Sequence, residues 1–149
     1  MENLFQKSTL DNVMQRLQKI NATTQRQWGT MTAAQMLAHT SSPLEFAMGD
    51  KTGKQSFIGK IFAPFAKKAF FDDKPYKQNL PTAPEFKTID EKDFNTEKQR
   101  LINLLNRFNA DGNKVAGKNA HLFLGTITAD EWARTMYKHI DHHFRQFGV

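Results

Sequence analysis

The sequence predicts an all-α fold, a single bundle of four helices, on three observations. Four segments repeat apolar residues at helical spacing. Two of them open with the Thr-x-x-Gln/Glu arrangement that caps a helix, and a third opens with a close relative of it. No convincing set of paired strands accompanies them. The 149 residues suit one domain, 1–149, with one core.

The first segment is "STLDNVMQRLQKIN", residues 8–21, where Leu10, Val13, Met14, Leu17 and Ile20 share one face. Ser8 with Asp11 resembles a capping box, with Asp in place of Glu or Gln. The second lies in "TMTAAQMLAHTSSPLEFAMG". Thr32 and Gln35 form its cap, Gly49 is its stop, and Pro43 inside it predicts a kink. Residues 50–89 then make a long irregular connection between the second and third helices, holding every proline except Pro43. Within it "FIGKIFAPFAKKAFF" predicts a short broken helix, and "PYKQNLPTAPEF" an extended loop. The third helix covers 91–109, with Phe94, Leu101, Leu104, Leu105 and Phe108 on its apolar face. Asp111-Gly112 and Gly117 are expected to break it. After "AHLFLGTI", read as extended, "TADEWARTMYKHIDHHFRQFG" is the fourth helix, capped by Thr128 and Glu131 and ended by Gly148.

Composition narrows the chemistry. There is no cysteine, which excludes disulfides, thiolate ligands and a cysteine nucleophile. Any metal site must use His, Asp, Glu or water. The net charge of +6 fits either a nucleic-acid footprint or a plain basic surface. The lysines form no dense block, which favours the second, so no nucleic-acid partner is expected. No apolar run approaches the ~20 residues that span a bilayer. The first residues, "MENLFQKSTLDNVMQRL", lack a basic region followed by an apolar stretch, so a signal peptide is not expected and the expected location is cytoplasmic. The segment "FIGKIFAPFAKKAFF" interleaves Phe and Ile with Lys60, Lys67 and Lys68. It reads as a membrane-surface helix or as a lid over the bundle whose lysine stems cover apolar surface, and the lid is preferred.

Three of the five histidines fall within "HIDHH". At ~100° per residue, with His139 at zero, Trp132 lies near 20°, His143 near 40°, Met136 near 60° and His142 near −60°. His139 and His143 therefore face inward as an i, i+4 pair, with Cβ atoms ~5–6 Å apart. His142 faces a rim or solvent. On the second helix His39 sits in the middle of the apolar face, among Met36, Pro43, Phe46 and Ala47. Inward histidines are either core residues with satisfied ring nitrogens or ligands of a metal. Three neutral imidazoles without a thiolate suit Zn, Ni, Fe or Cu, and three protein ligands leave a position for water or substrate. His121 precedes an apolar run and reads as a surface or capping residue, with a ligand role as the alternative.

Neighbouring residues have competing readings as well. Gln35 completes the cap, or orients something bound at His39. Gln146, near −20° from His139, is close enough to support the site from a second layer, and so is His142 at its rim. Asp141 points away from the histidine stripe, Glu45 reads as surface, and Arg145 as the partner of a surface pair. Trp28 and Trp132 read as core or pocket wall.

The stretches "WGTMTAAQMLAHT" and "YKHIDHHFRQFG" resemble the DinB-like superfamily of metal-dependent four-helix bundles, which includes the YfiT-like proteins. Trp28-Gly29, Met36-Leu37-Ala38-His39, Pro81-Thr82-Ala83-Pro84 and Lys138 to Gly148 resemble an uncharacterised branch of it, over most of the chain from about residue 10 onward. The resemblance implies a DinB-like bundle with one metal ligand on the second helix and two on the fourth. These fall on His39, His139 and His143. It implies Ni or Zn as the divalent metal, and a homodimer, since members are often dimeric. Relatives include S-transferases that use a low-molecular-weight thiol (bacillithiol), a mycothiol-dependent isomerase, and proteins grouped as hydrolases. The expectation is thus a metal-dependent enzyme acting on a small-molecule substrate, a thiol-dependent transferase or a hydrolase, with no catalytic residue assigned. The alternative is a non-catalytic stress-response binding module whose metal is structural or absent.

Overall fold

The computed structural model describes residues 2–80 and 87–149. The Pro81-Thr82-Ala83-Pro84 motif lies outside the described residues. The fold is all-helical. Helices α1 (Lys7–Gln18), α2 (Ala33–Met48), α3 (Phe57–Phe71), α4 (Phe94–Val115) and α5 (Ala129–Gln146) follow one another, with a 3-10 turn at Ala116–Lys118 after α4. Among the described residues there is no strand. The run expected to be extended is a tight turn closed by a bridge between His121 and Gly125. Among the described residues no helix is long and apolar enough to cross a membrane.

Burial explains the packing. Val13 and Leu17 of α1, Met36, Leu37 and Leu44 of α2, Leu101, Leu105 and Phe108 of α4, and Trp132, Ile140 and Phe144 of α5 meet in one core. Each such side chain contributes about 1.5–3 kcal/mol by leaving water. Helix α2 is buried on nearly every side, from Ala33 to Ala47, and pairs most extensively with α4. Helix α5 touches all four other helices. Caps fix where these two helices begin. Thr32 and Gln35 exchange side-chain and main-chain hydrogen bonds, and so do Thr128 and Glu131. Such a cap is worth about 1 kcal/mol. Gly49 ends α2 with a left-handed φ of 78°. Helix α2 runs through Pro43, which has no N–H to donate back toward the turn carrying His39.

Four local expectations are corrected. Ser8 and Asp11 form no capping box, because α1 already starts at Lys7 and Asp11 pairs with Lys7 at 2.8 Å. Just before α1, Leu4 docks on α4 and α5 through Asn109 and Ala133, and Asn3 donates to Asp130 of α5. Helix α4 does not stop at Asp111-Gly112. Gly112 is buried in mid-helix, where a Cβ would approach Phe5 at 2.8 Å and Phe108 at 2.9 Å, so this glycine serves close packing rather than a turn. The connection between α2 and α4 is not irregular throughout: α3 runs for 15 residues inside it, through Pro64. Glu45 is largely shielded and ion-paired with Arg100 and Lys51.

Helix α3 rests on α5 and on the turn after residue 121 through Gly59, Ala63 and Phe70. Its far end is fastened by Lys138 of α5. The Lys138 ammonium, almost wholly buried, donates to the carbonyls of Ala69 and Asp72 and to the Asp72 carboxylate at 2.6, 2.9 and 2.8 Å. Tyr76 covers the same ammonium with its ring face at 4.8 Å.

Gly112→Ala is expected to destabilise the protein by about 1–2 kcal/mol, because overpacking against Phe5 and Phe108 outweighs the ~1 kcal/mol of helix propensity that alanine brings. Urea denaturation measures this, and a stabilised variant would overturn the packing role of Gly112.

Candidate metal centre

Histidines from α2 and α5 converge in the interior. One ring nitrogen from each of His39, His139 and His143 lies within 4.8 Å of the others. The Nε2 atoms of His39 and His139 are 3.0 Å apart. The three rings meet edge to face with centroids 4.7 to 4.9 Å apart. Nitrogens bound to one tetrahedral zinc at about 2.0–2.1 Å stand roughly 3.3 Å from each other. The His39–His139 pair stands near that spacing and the His143 nitrogen lies within 4.8 Å of both, with donors of the kind that Zn or Ni accepts.

The orientation of His143 follows from a chain of hydrogen bonds. The Trp28 carbonyl can only accept, so the Gln146 amide nitrogen turns to it, at 2.8 Å. That leaves Gln146 Oε1 facing His143 Nδ1, also at 2.8 Å. An amide oxygen accepts, so Nδ1 carries the proton and Nε2 presents its lone pair. This is the support that a metal-binding imidazole ordinarily receives from a second layer. Gly29 makes it possible. Its φ is +78°, and a Cβ there would collide with the Gln146 amide. The Gln27 N–H to the Gln146 carbonyl, at 2.7 Å, ties the same loop to the end of α5. The Trp28-Gly29 pair is thus part of the site through its main chain. His139 Nδ1 is buried without a hydrogen-bond partner, so the ring is committed through Nε2.

Burial keeps the α5 histidines of the site from taking up a proton. Burial, with His39 alongside, pushes the His143 imidazole down to about 3. Burial, then His143 and His39, holds His139 well below the usual range. His142 is lowered too, chiefly by burial. Neutral imidazole is the form that binds metal.

The other candidates separate. Gln146 supports His143 directly. His142 stands on the wall, its ring 5.1 Å from His143 and 5.9 Å from both Trp28 and Tyr76. Gln35 is occupied elsewhere: Oε1 completes the α2 cap and Nε2 donates to the Asp90 carbonyl at 3.1 Å. Asp141 pairs with Arg16 and Arg145, each at 2.8 Å. His121 caps its own turn, Nδ1 accepting from the N–H groups of Phe123 and Leu124. Burial lowers its ring to about 4. Trp132 is core, its indole N–H donating to the Asn119 carbonyl.

A cleft of about 370 Å³ opens onto His39 and His143. Trp28, Met31, Leu80 and Ile89 give it apolar wall, and Asn79, Lys87, His142 and Gln146 give it polar groups. Residues 79–80 and 87–89 belong to the 50–89 connection, the segment expected to shape a pocket; no periodic signal singles them out within it, and they meet the cleft only through the fold.

Residues 2–148 match the family described as "Protein of unknown function (DUF1569)". No curated protein and no solved structure matches the chain.

Metal-free protein is expected to lose stability as the pH falls below about 6.5, where an unfolded histidine takes up a proton that folded His143 refuses until about 3. The folded state binds fewer protons throughout that window, so acid favours unfolding. Denaturant melts between pH 7 and 5 should show the decline, and His143→Gln should flatten it. Equal slopes for the two proteins would overturn the assignment of this proton deficit to His143.

Proposed function

The chain belongs to the DUF1569 family, and from the site itself we propose that it holds a divalent metal ion, Ni or Zn, at His39, His139 and His143 and uses it in a metal-dependent reaction on a small molecule. The observation that carries this reading is the convergence of three ring nitrogens from two helices. We read α1, α2, α4 and α5 as a DinB-like bundle, with α3 inserted in the long connection. One ligand on α2 and two, four apart, on α5 support that reading. The reaction class is thiol-dependent group transfer or hydrolysis.

A bound ion supplies a Lewis acid that makes a water or a low-molecular-weight thiol nucleophilic near neutral pH. The chain's own residues do the rest. Gln146 holds the His143 proton on Nδ1. His142, half-buried on the wall and neutral, is placed to accept a proton from the nucleophile. Trp28, Met31, Leu80 and Ile89 exclude water from an apolar part of the substrate. Lys87 offers a positive charge to a substrate carboxylate or phosphate at the rim. The cleft against His39 and His143 favours turnover over a purely structural ion, because closed structural sites leave no room beside the ligands.

Elemental analysis of protein purified without a metal-affinity tag is expected to give about one metal per chain, lost in His39→Ala and His139→Ala. Protein that is metal-free and takes up neither Zn nor Ni would overturn the site. Thiol-transfer and ester substrates can then be screened, and activity surviving both chelation and His143→Ala would overturn the enzymatic role.

Gln146→Leu is expected to weaken metal binding about 10- to 100-fold while leaving the ligands in place. Competition with a chelating dye measures this, and unchanged affinity would remove the positioning role.

A further inference from the structure

Helix α3 turns apolar faces in two opposite directions. At ~100° per residue, Gly59, Ala63, Ala66 and Phe70 fall within about 60° of each other. They face the protein: Gly59 and Ala63 are buried, and a Cβ at 59 would strike the Phe123 main chain. The opposite side carries Phe57, Ile58, Ile61, Phe62 and Phe65, from 48% to 82% exposed. Five large apolar side chains side by side on one short helix are an interaction surface, not scattered exposure.

The charge around this face selects its occupant. From Lys51 to Phe71 the chain has five lysines and no Asp or Glu. Lys60 and Lys67 lie on one flank of the apolar face, at about −60° and −80° from Phe57, and Lys68 lies within it near 20°. Two copies joined through α3 about a two-fold axis would bring these lysines together with no carboxylate on either helix to pair them. Anionic lipid headgroups supply the missing countercharge, and the acyl boundary takes the phenylalanines. The helix is presented flat on the body of the protein. Gly59 and Ala63 seat its middle, and Lys138 fastens its end at Ala69 and Asp72. No helix of the described residues is long and apolar enough to cross a bilayer, so the geometry is that of a helix lying in the interface.

We propose that α3 docks this protein on anionic membrane surfaces, with Phe57, Ile58, Ile61, Phe62 and Phe65 inserted and Lys60, Lys67 and Lys68 against the headgroups. The test is cosedimentation of the full chain with phosphatidylcholine vesicles containing about 30 mol% phosphatidylglycerol, beside vesicles of phosphatidylcholine alone. Binding is expected to the anionic vesicles, to fall with added salt, and to drop about tenfold or more in Phe57→Ser/Phe65→Ser and in Lys60→Glu/Lys67→Glu. Both variants change exposed side chains, and circular dichroism checks that they fold. No sedimentation with anionic vesicles, or equal sedimentation of wild type and both variants, overturns the proposal. So does a dimer, seen by light scattering without lipid, that Phe57→Ser/Phe65→Ser dissociates, because the face then belongs to a second copy.

Discussion

Three imidazoles inside an apolar core are the constraint on which the rest of this structure depends. A buried histidine is tolerated only when neutral and oriented, and each ring nitrogen left without a partner costs stability. At His143 the fold meets that demand with main-chain groups as much as with side chains, whereas His139 Nδ1 is left without a partner. The Trp28 carbonyl directs Gln146, Gln146 directs His143, and the loop carrying Trp28 is tied back to α5 through Gln27. Helix α2 is buried on nearly every side and brings His39 Nε2 to 3.0 Å from His139 Nε2. The hydroxyls of Thr40 and Ser41 bond to carbonyls in the preceding turn, so two polar residues add no unsatisfied group.

Much of this was legible in the chain, for a local reason. Helical period is a short-range property, so the phases of α2 and α5 placed His39, His139 and His143 on inward faces and separated His142 from them. The caps at Thr32 and Thr128 are equally local and stand where the sequence puts them. What escaped the sequence depends on partners far along the chain. Gly112 looks like a helix breaker until Phe5 is seen above it. Gln35, one turn before His39, looks like a support for it, but its amide reaches the Asp90 carbonyl, 55 residues away. Residues 79–80 and 87–89 join the cleft wall with no pattern that announces it.

Helix α3 links the two regions of chemical interest. Its outer face meets the surroundings, and its end is held by Lys138, the residue just before His139. The three acceptors around that ammonium stand in for water, and removing them would leave a buried charge unpaired, a far larger loss than breaking a surface ion pair. The fastening is therefore strong although it consists of one side chain.

Helix α5 carries these duties at successive angles. Lys138 reaches α3, His139 meets His39 of α2, Asp141 grips Arg16 of α1, His142 stands against Trp28 and Tyr76, and His143 faces Gln146. Every side of the helix is already assigned between residues 138 and 143. One residue inserted or deleted just before this stretch would swing all five side chains by about 100° at once. The helix thus has a fixed reading frame: its descendants can exchange residues on α5, but they cannot change its length there without abandoning every one of these contacts together.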